Sequence, residues 1–449
     1  IFEVLFDECV QRHLDGRGLE AVTSRGTAFL AFVKREGEAL EHYALFQALR
    51  ERFEQGATPV WGWQEWPVEY QDPRSPAVLA FRLEHATRVL FFQYVQWVAA
   101  EQLTAVMQTC RHHEMVIGLY HDLALGSDRS GSDAWRCQSV LALQADCGAP
   151  PDAFAPQGQN WGLPPFNPVR LRDEGYAVFI ELLRHNLRYG GALRLDHVMA
   201  LFRLFWIPRG RPAAEGTYVQ YPAKDLLGIL ALESIRHQAV IIGEDLGTVP
   251  DSVREQLLAV GVLSYRVFYF ERAWDGGWKS PDAYPAQALA VVNTHDLPTL
   301  KGFWAGHDID VRYRLGIIPT AEAKDLAMAE RDRDKMQIFD ALTREGVWDP
   351  RTQHGSLTDF SDDLLESIHA YAARTSSWMM LVNLDDFSGE ETQSNLPGTL
   401  DTYPNWSRKM SRTVEELRFH PPAVGLARIL TRLRPGGAGR SRLSRKGTA

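Results

Sequence analysis

Cysteine is scarce: Cys9, Cys110, Cys137 and Cys147 are the only four among 449 residues. None forms a CxxC pair, and four cannot staple a chain of this length, which excludes a disulfide scaffold and sets the expectation of a reducing, cytoplasmic compartment. Long apolar runs are missing too. No stretch approaches the ~20 apolar residues of a membrane-spanning helix, and the opening IFEVLFDECVQRHLDG carries acids where an export signal needs a basic start. Positive charge is not in excess either. A formal net charge of -9 gives no electrostatic footprint for nucleic acid, although the stretch from Arg432 to Lys446 gathers basic residues among Gly, Pro and Ser and is expected to be solvated and disordered. There is no GxSxG elbow, no P-loop and no zinc-type His/Cys spacing, and the adjacent His112 and His113 would point apart on a helix. No metal and no other cofactor is expected.

What is present is the composition of a folded globular chain, with 45% hydrophobic and 23% charged residues. The length suits a barrel of about 250 residues with large insertions, or two to three compact domains. Apolar spacing predicts a helix from Glu36 to Gln55, then, after a Trp- and Pro-rich connection, a long helical pattern from Pro76 to His113 that feeds a β-type run at Val116–Leu119. The same order returns: Glu181–Tyr189 precedes GALRLD, Asp225–Arg236 precedes AVIIGED, and a short run at Pro285–Ala288 precedes LAVVNTHD. Repeated helix-then-strand units predict an α/β fold with a parallel sheet and outer helices, of the (β/α)8 TIM-barrel type.

Several of these apolar runs end in an acid: Asp122 after IGLYH, Asp196 after GALRL, Glu244 and Asp245 after AVIIG, and Asp296 after AVVNTH. Any one of them reads equally well as a helix N-cap. Together they suggest the carboxyl-end face of a barrel, where strand ends far apart in sequence converge. Cutting a glycosidic bond with retention needs two carboxyl groups about 5–5.5 Å apart, one ionised nucleophile and one proton donor. Asp196 and Glu244 can supply that pair. Arg194 stands two residues before Asp196, on the same side of a strand, where it favours the ionised form. Asp245 beside Glu244 is expected to push in the opposite sense, and Asp296 is left to grip sugar hydroxyls. His197 and His295 adjoin the key acids and are candidates for substrate contact as well as for structural roles.

The blocks GALRLDHVMALFRLFWIP, IIGEDLGTVP and NTHDLPTL, in that order, resemble the 4-α-glucanotransferases (amylomaltases, glycoside hydrolase family 77), with wording nearest the larger bacterial enzymes of maltose metabolism. GLYHDLALG, GAPPDAFAPQGQNWGLPPFNP, GTYVQYPAKDLLGILALES, SYRVFYF and NLPGTLDTYPNWSRKM agree, so the resemblance covers about residues 40 to 410. It implies a retaining double displacement on maltooligosaccharides and other α-glucans. Asp196 matches the nucleophile, Glu244 the general acid/base and Asp296 the carboxylate that stabilises the transition state. It further implies that Arg194 and His295 contact sugar, that Asp152, Gln159 and Trp161 lie in a loop over the glucan groove, and that Phe270 and Asn395 are further contacts. Trp61, Trp63 and Trp66 are expected to pack a connection, with a second glucan site as the alternative.

No block before Ile1 matches the two strands with which the family's barrel opens. The sequence therefore predicts a helical subdomain over 1–115, barrel strands three to eight over 116–430 and a basic tail over 431–449, in a chain unstable or inactive on its own. Two other readings stay open: an amylase-like hydrolase using the same acids, and a non-catalytic glucan-binding remnant.

Overall fold

The computed structural model describes residues 1–435, apart from 16, 17, 19, 57, 58, 152–156 and 400. The chain divides into two compact units, one of residues 1–244 with 249–256, the other of 245–248 with 257–449. The division runs through the expected barrel portion and not at the 115/116 boundary.

The first unit opens with helices Phe2–His13, Ser24–Glu54, Pro76–Glu84 and Ala86–His112. The second of these starts earlier than the apolar pattern suggests, because the Thr23 side chain caps it by accepting from the Gly26 N–H. Its axis kinks at Gly37 (φ 59°, ψ -138°), a conformation that a residue without Cβ adopts cheaply. The long pattern expected from Pro76 to His113 is two helices, interrupted at His85. Phe46, Trp63, Trp66 and Trp135 are buried together in one core, and Phe29, Tyr94 and Trp97 in another. Trp61 alone of its cluster is exposed, at 61%, with the Arg50 guanidinium 3.5 Å above its ring.

Among the described residues ten strands follow: β1 (Tyr120–Leu123), β2 (Ala145–Ala149), β3 (Gln159–Asn160), β4 (Ala192–Leu195), β5 (Arg203–Pro208), β6 (Thr217–Gln220), β7 (Val240–Gly243), β8 (Leu263–Val267), β9 (Ala288–Val291) and β10 (Met379–Leu381). In the first unit β1, β4 and β7 pair in parallel, with Asp122 opposite Arg194 and Arg194 opposite Ile242. β1 begins three residues after Ile117, where the sequence places its start, because Glu114 (φ 54°) and Gly118 (φ 73°) take left-handed turns that delay the extended run. Helices Ala177–Leu187 and Ala223–His237 precede β4 and β7, giving the helix-then-strand repeat. Between the parallel strands lies an antiparallel sheet, β3–β2–β5–β6, which the sequence reading missed: RLFWIP and TYVQ are strands of this insertion.

In the second unit β8, β9 and β10 pair in parallel, Val267 with Val291 and Val291 with Leu381. The run expected at Pro285–Ala288 is not a helix. A single turn at Pro281–Ala283 leads into β9, since Pro281 and Pro285 each lack the N–H a helix interior would use. Helices Ala321–Arg344, Asp362–Ala373 and Pro421–Leu433 complete this unit. The expected boundary at 430/431 falls inside the last helix. Just beyond it Arg434 donates to the carbonyls of Ala373, Thr375 and Ser377 at 2.8–2.9 Å and to the Thr375 hydroxyl at 2.9 Å. Ala373 is the last residue of helix Asp362–Ala373, whose carbonyl has no partner within it, and Thr375 and Ser377 stand in the chain just after it. Residues 436–449, the bulk of the basic tail, lie outside the described residues. Arg434→Ala is expected to lower the unfolding free energy by about 2 kcal/mol in urea titrations, the cost of uncovering buried carbonyls; an unchanged midpoint would show that the anchor contributes nothing.

Candidate active site

The site in the first unit grows from the register of three short strands. Because β1, β4 and β7 run in parallel with Asp122 beside Arg194 and Leu195 beside Gly243, the next residues, Asp196 and Glu244, leave neighbouring strands at the same level. Adjacent strands stand about 4.8 Å apart. Side chains leaving neighbouring strands at one level on one face can approach each other, as the two carboxyls of retaining glycoside cleavage must, at about 5–5.5 Å.

Arg194 is the hub. It is buried at 7% exposure and donates from Nη1 to Asp122 Oδ1 at 2.6 Å and from Nη2 to Asp196 Oδ1 at 2.8 Å. Both carboxylates keep substantial contact with solvent, with 42% and 39% of their side chains accessible. One fixed cation thus holds two acids through charge-assisted hydrogen bonds. Asp122 was visible as a strand-end acid, but its part in fixing Arg194 was not anticipated.

Glu244 is held by backbone. The N–H of His197 donates to Glu244 Oε2 at 3.0 Å, the Val198 N–H to the Glu244 carbonyl at 3.0 Å, and the Glu244 N–H to the Leu195 carbonyl at 3.0 Å. His197 aims its N–H this way through a left-handed backbone (φ 47°), a costly conformation for a residue with a side chain. Its ring meets that of Trp161 edge to face, with centroids 5.4 Å apart. Burial holds the His197 imidazole below its ordinary pKa, against the opposing pull of Asp196, which favours the neutral ring. Trp161 follows β3 and donates from its indole to Gln159 Oε1 at 3.1 Å. Gln159 and Trp161 therefore sit beside His197, whereas Asp152 lies outside the described residues.

In the second unit Asp296 follows β9 in the loop Asn293–Leu300. Its Oδ1 accepts from Asn395 Nδ2 at 2.6 Å, its Oδ2 lies 3.3 Å from His295 Nε2, and its N–H donates to the Thr294 hydroxyl at 3.2 Å. The Asn395 N–H donates to the His295 carbonyl at 3.1 Å. Asp296, His295 and Asn395 are thus brought together. Trp406, which sequence reasoning missed, packs its ring 5.0 Å from His295 with a left-handed backbone (φ 59°) and 64% exposure; the only signal was an aromatic in an Asn- and Pro-rich block. Phe270, in the turn after β8, is 53% exposed. The role expected for Asp245 is corrected. Its buried carboxylate accepts from the Ser264 hydroxyl at 2.5 Å, the Tyr265 N–H at 2.9 Å and Arg266 at 3.4 Å, so it anchors β8 and its charge is already met.

Among the described residues no group of three or more His, Cys, Asp or Glu is arranged to hold a metal ion, and no helix is long and apolar enough to cross a membrane.

Acids at the ends of parallel strands in an α/β fold, one of them paired with an arginine two residues upstream, define the class of barrel-type glycoside-processing proteins. The comparisons narrow the class. The family model of 4-alpha-glucanotransferases matches residues 5–414, and the chain belongs to that family. It is 38% identical over 400 residues to the 4-alpha-glucanotransferase of Haemophilus influenzae, covering 88% of this chain and 57% of that one. It is also 38% identical over 389 residues to that of Mycobacterium tuberculosis, covering 85% and 52%. The chain spans about half the length of these relatives. Among solved structures, the amylomaltase of Corynebacterium glutamicum superposes with a TM-score of 0.80 at 34% identity, over 92% of this chain and 57% of that one. The amylomaltase of Streptococcus agalactiae in complex with acarbose superposes with a TM-score of 0.74 at 17% identity, over 96% and 78%, a likeness of fold. The fold class expected from the sequence, a TIM-barrel-type glycosidase fold, is that of the family.

Arg194→Met keeps the buried stem and removes the cation between Asp122 and Asp196. It is expected to cost about 2 kcal/mol of unfolding free energy at neutral pH, discounted for the exposure of both acids. In a double-mutant cycle with Asp122→Asn the two losses are expected to be non-additive by about 1 kcal/mol; strictly additive losses would refute the charge-pairing account.

Proposed function

We propose that this protein transfers α-1,4-glucan segments between maltooligosaccharides by a retaining double displacement. Asp196 is the nucleophile: its carboxylate attacks the anomeric carbon, the glycosidic bond breaks, and a covalent glycosyl-enzyme results. Glu244 gives its proton to the departing oxygen and then, as a carboxylate, takes the proton of the incoming sugar hydroxyl as that oxygen displaces Asp196. Asp296 balances the oxocarbenium charge that develops in both steps. Arg194 holds the Asp196 carboxylate in place and, with His295 and Asn395, contacts sugar. Trp161 offers a ring on which a pyranose face can stack, beside Gln159, while Asp152 and Phe270 are assigned contacts by resemblance alone. The observation that carries the reading is the Arg194 bridge, which ties the proposed nucleophile to a strand end one register step from Glu244.

The partners implied are α-glucan donors and acceptors, with no nucleic acid and no membrane, and the location proposed is cytoplasmic. Transfer outruns hydrolysis where an acceptor sugar excludes water from the covalent intermediate.

Incubated with maltotriose, the protein is expected to yield a ladder of longer and shorter oligosaccharides, read by mass spectrometry. Shortening with an equivalent gain in reducing ends would make it a hydrolase, and no product at all would favour the binding remnant. A fluorinated glycosyl donor should label the protein covalently, needing only one event per site, and Asp196→Ala should abolish the label; labelling that persists would refute the nucleophile.

A further inference from the structure

The most deeply buried acid in the second unit lies outside the chemistry just described. Asp386 sits in the short helix Leu384–Ser388, which the Asn383 side chain caps by accepting from the Asp385 N–H, and its own side chain is inaccessible to solvent. It turns to the loop that carries His295 and Asp296. Asn293 Nδ2, at the start of that loop, donates to both carboxylate oxygens at 3.0 and 3.1 Å. The N–H of Leu300, at the loop's end, donates to Asp386 Oδ1 at 2.7 Å.

We propose that Asp386 is a positioning residue for Asp296: one buried carboxyl clamps both ends of the loop 293–300 and so fixes where Asp296 and His295 stand. Three observations converge on this. First, the donors to Asp386 belong to the loop and lie at its two ends, seven residues apart, so the closure is fixed from one point. Second, the donors are themselves oriented. Asn293 Oδ1 accepts from Asn383 Nδ2 at 2.9 Å, which settles the direction of the amide, and the Pro298 carbonyl within the loop accepts from both Asn293 Nδ2 and the Tyr269 hydroxyl at 3.2 Å. Third, the position is expensive. Burial pushes the Asp386 carboxyl up to about 7 against the pull of its donors. The nearby His369, 4.0 Å away, donates from Nδ1 to the Leu365 carbonyl and is held down to about 4, so it brings no compensating charge. An apolar side chain would fill the space more cheaply, but could not accept the Leu300 N–H at the start of helix Leu300–Ala305 or hold Asn293.

The clamp rests on the reading of Asp296 as a catalytic carboxylate, so its test has one readout that depends on that reading and one that does not. Asp386→Asn keeps shape but sets an amide N–H against either Asn293 or Leu300. Asn293→Ala removes the donor and leaves the buried carboxyl in place. Hydrogen exchange followed by mass spectrometry is expected to show peptides spanning 293–300 opening about tenfold faster in both variants, with the core helices unchanged. Steady-state transfer from maltotriose is expected to show kcat down by about 10- to 100-fold with KM within about threefold, the mark of displaced catalytic groups and not of lost binding. A merely structural carboxyl would lower the melting midpoint while leaving kcat per folded molecule intact. Unchanged loop exchange in either variant overturns the clamp, as does a loosened loop with undiminished kcat. If the unmutated protein shows no transfer, the functional reading fails and the exchange measurement still decides the clamp.

Discussion

The ion pair of Arg194 with Asp122 and Asp196 is the constraint on which the candidate site depends. A guanidinium buried at 7% exposure must have its charge met, and here the planar fork meets one carboxylate on each of two neighbouring strands. The pairing therefore does two things at once. It fixes β1 against β4 at the level where the chain leaves the sheet, and it holds one carboxylate oxygen of Asp196 in a defined place. The register of β4 with β7 then places Glu244, which the His197 and Val198 N–H groups also hold. A one-residue slip between β4 and β7 would separate Asp196 from Glu244 by a step along the strands and turn side chains to the opposite face. The three-strand parallel ladder is thus part of the chemistry as much as of the fold.

The carboxylates of the two units are supported in opposite ways. Asp196 answers to a cation, so its environment is electrostatic and salt-like. Asp296 answers to an amide, Asn395, and to a loop closed by the buried Asp386, so its environment is set by hydrogen-bond geometry. A nucleophile needs a defined charge, whereas a carboxylate that responds to charge developing on a sugar needs above all a defined place.

The strand-end acids were legible because β4, β7 and β9 are short apolar runs that stop at an acid, a pattern with period and punctuation that survives in one dimension. Asn395 came through resemblance, and the structure puts it on Asp296. Other features were not legible for definite reasons. RLFWIP reads as the continuation of a strand-end block, so the antiparallel insertion passed unnoticed. Asp245 looked like a partner of Glu244 because adjacency in sequence was taken for adjacency of charge, when alternate residues of an extended chain point apart. Asp386 stands in LDDFSG, which reads as the acidic first turn of a surface helix; only its burial shows otherwise. Gly37, inside a strongly helical pattern, gave a signal for a kink that periodicity alone overrode.

The contact from the His197 N–H to Glu244 is made by the main chain. Its information therefore resides in a backbone shape and not in a residue name. A scan that changes side chains one by one is nearly blind to such a contact, because most residues still carry the N–H; only proline deletes it. Glycine at this position would relax the left-handed strain while keeping the donor. The imidazole at 197 and the amide at 197 are in this sense separate inheritances at one position, the first tied to the ring of Trp161 beside it, the second bound to the geometry of Glu244.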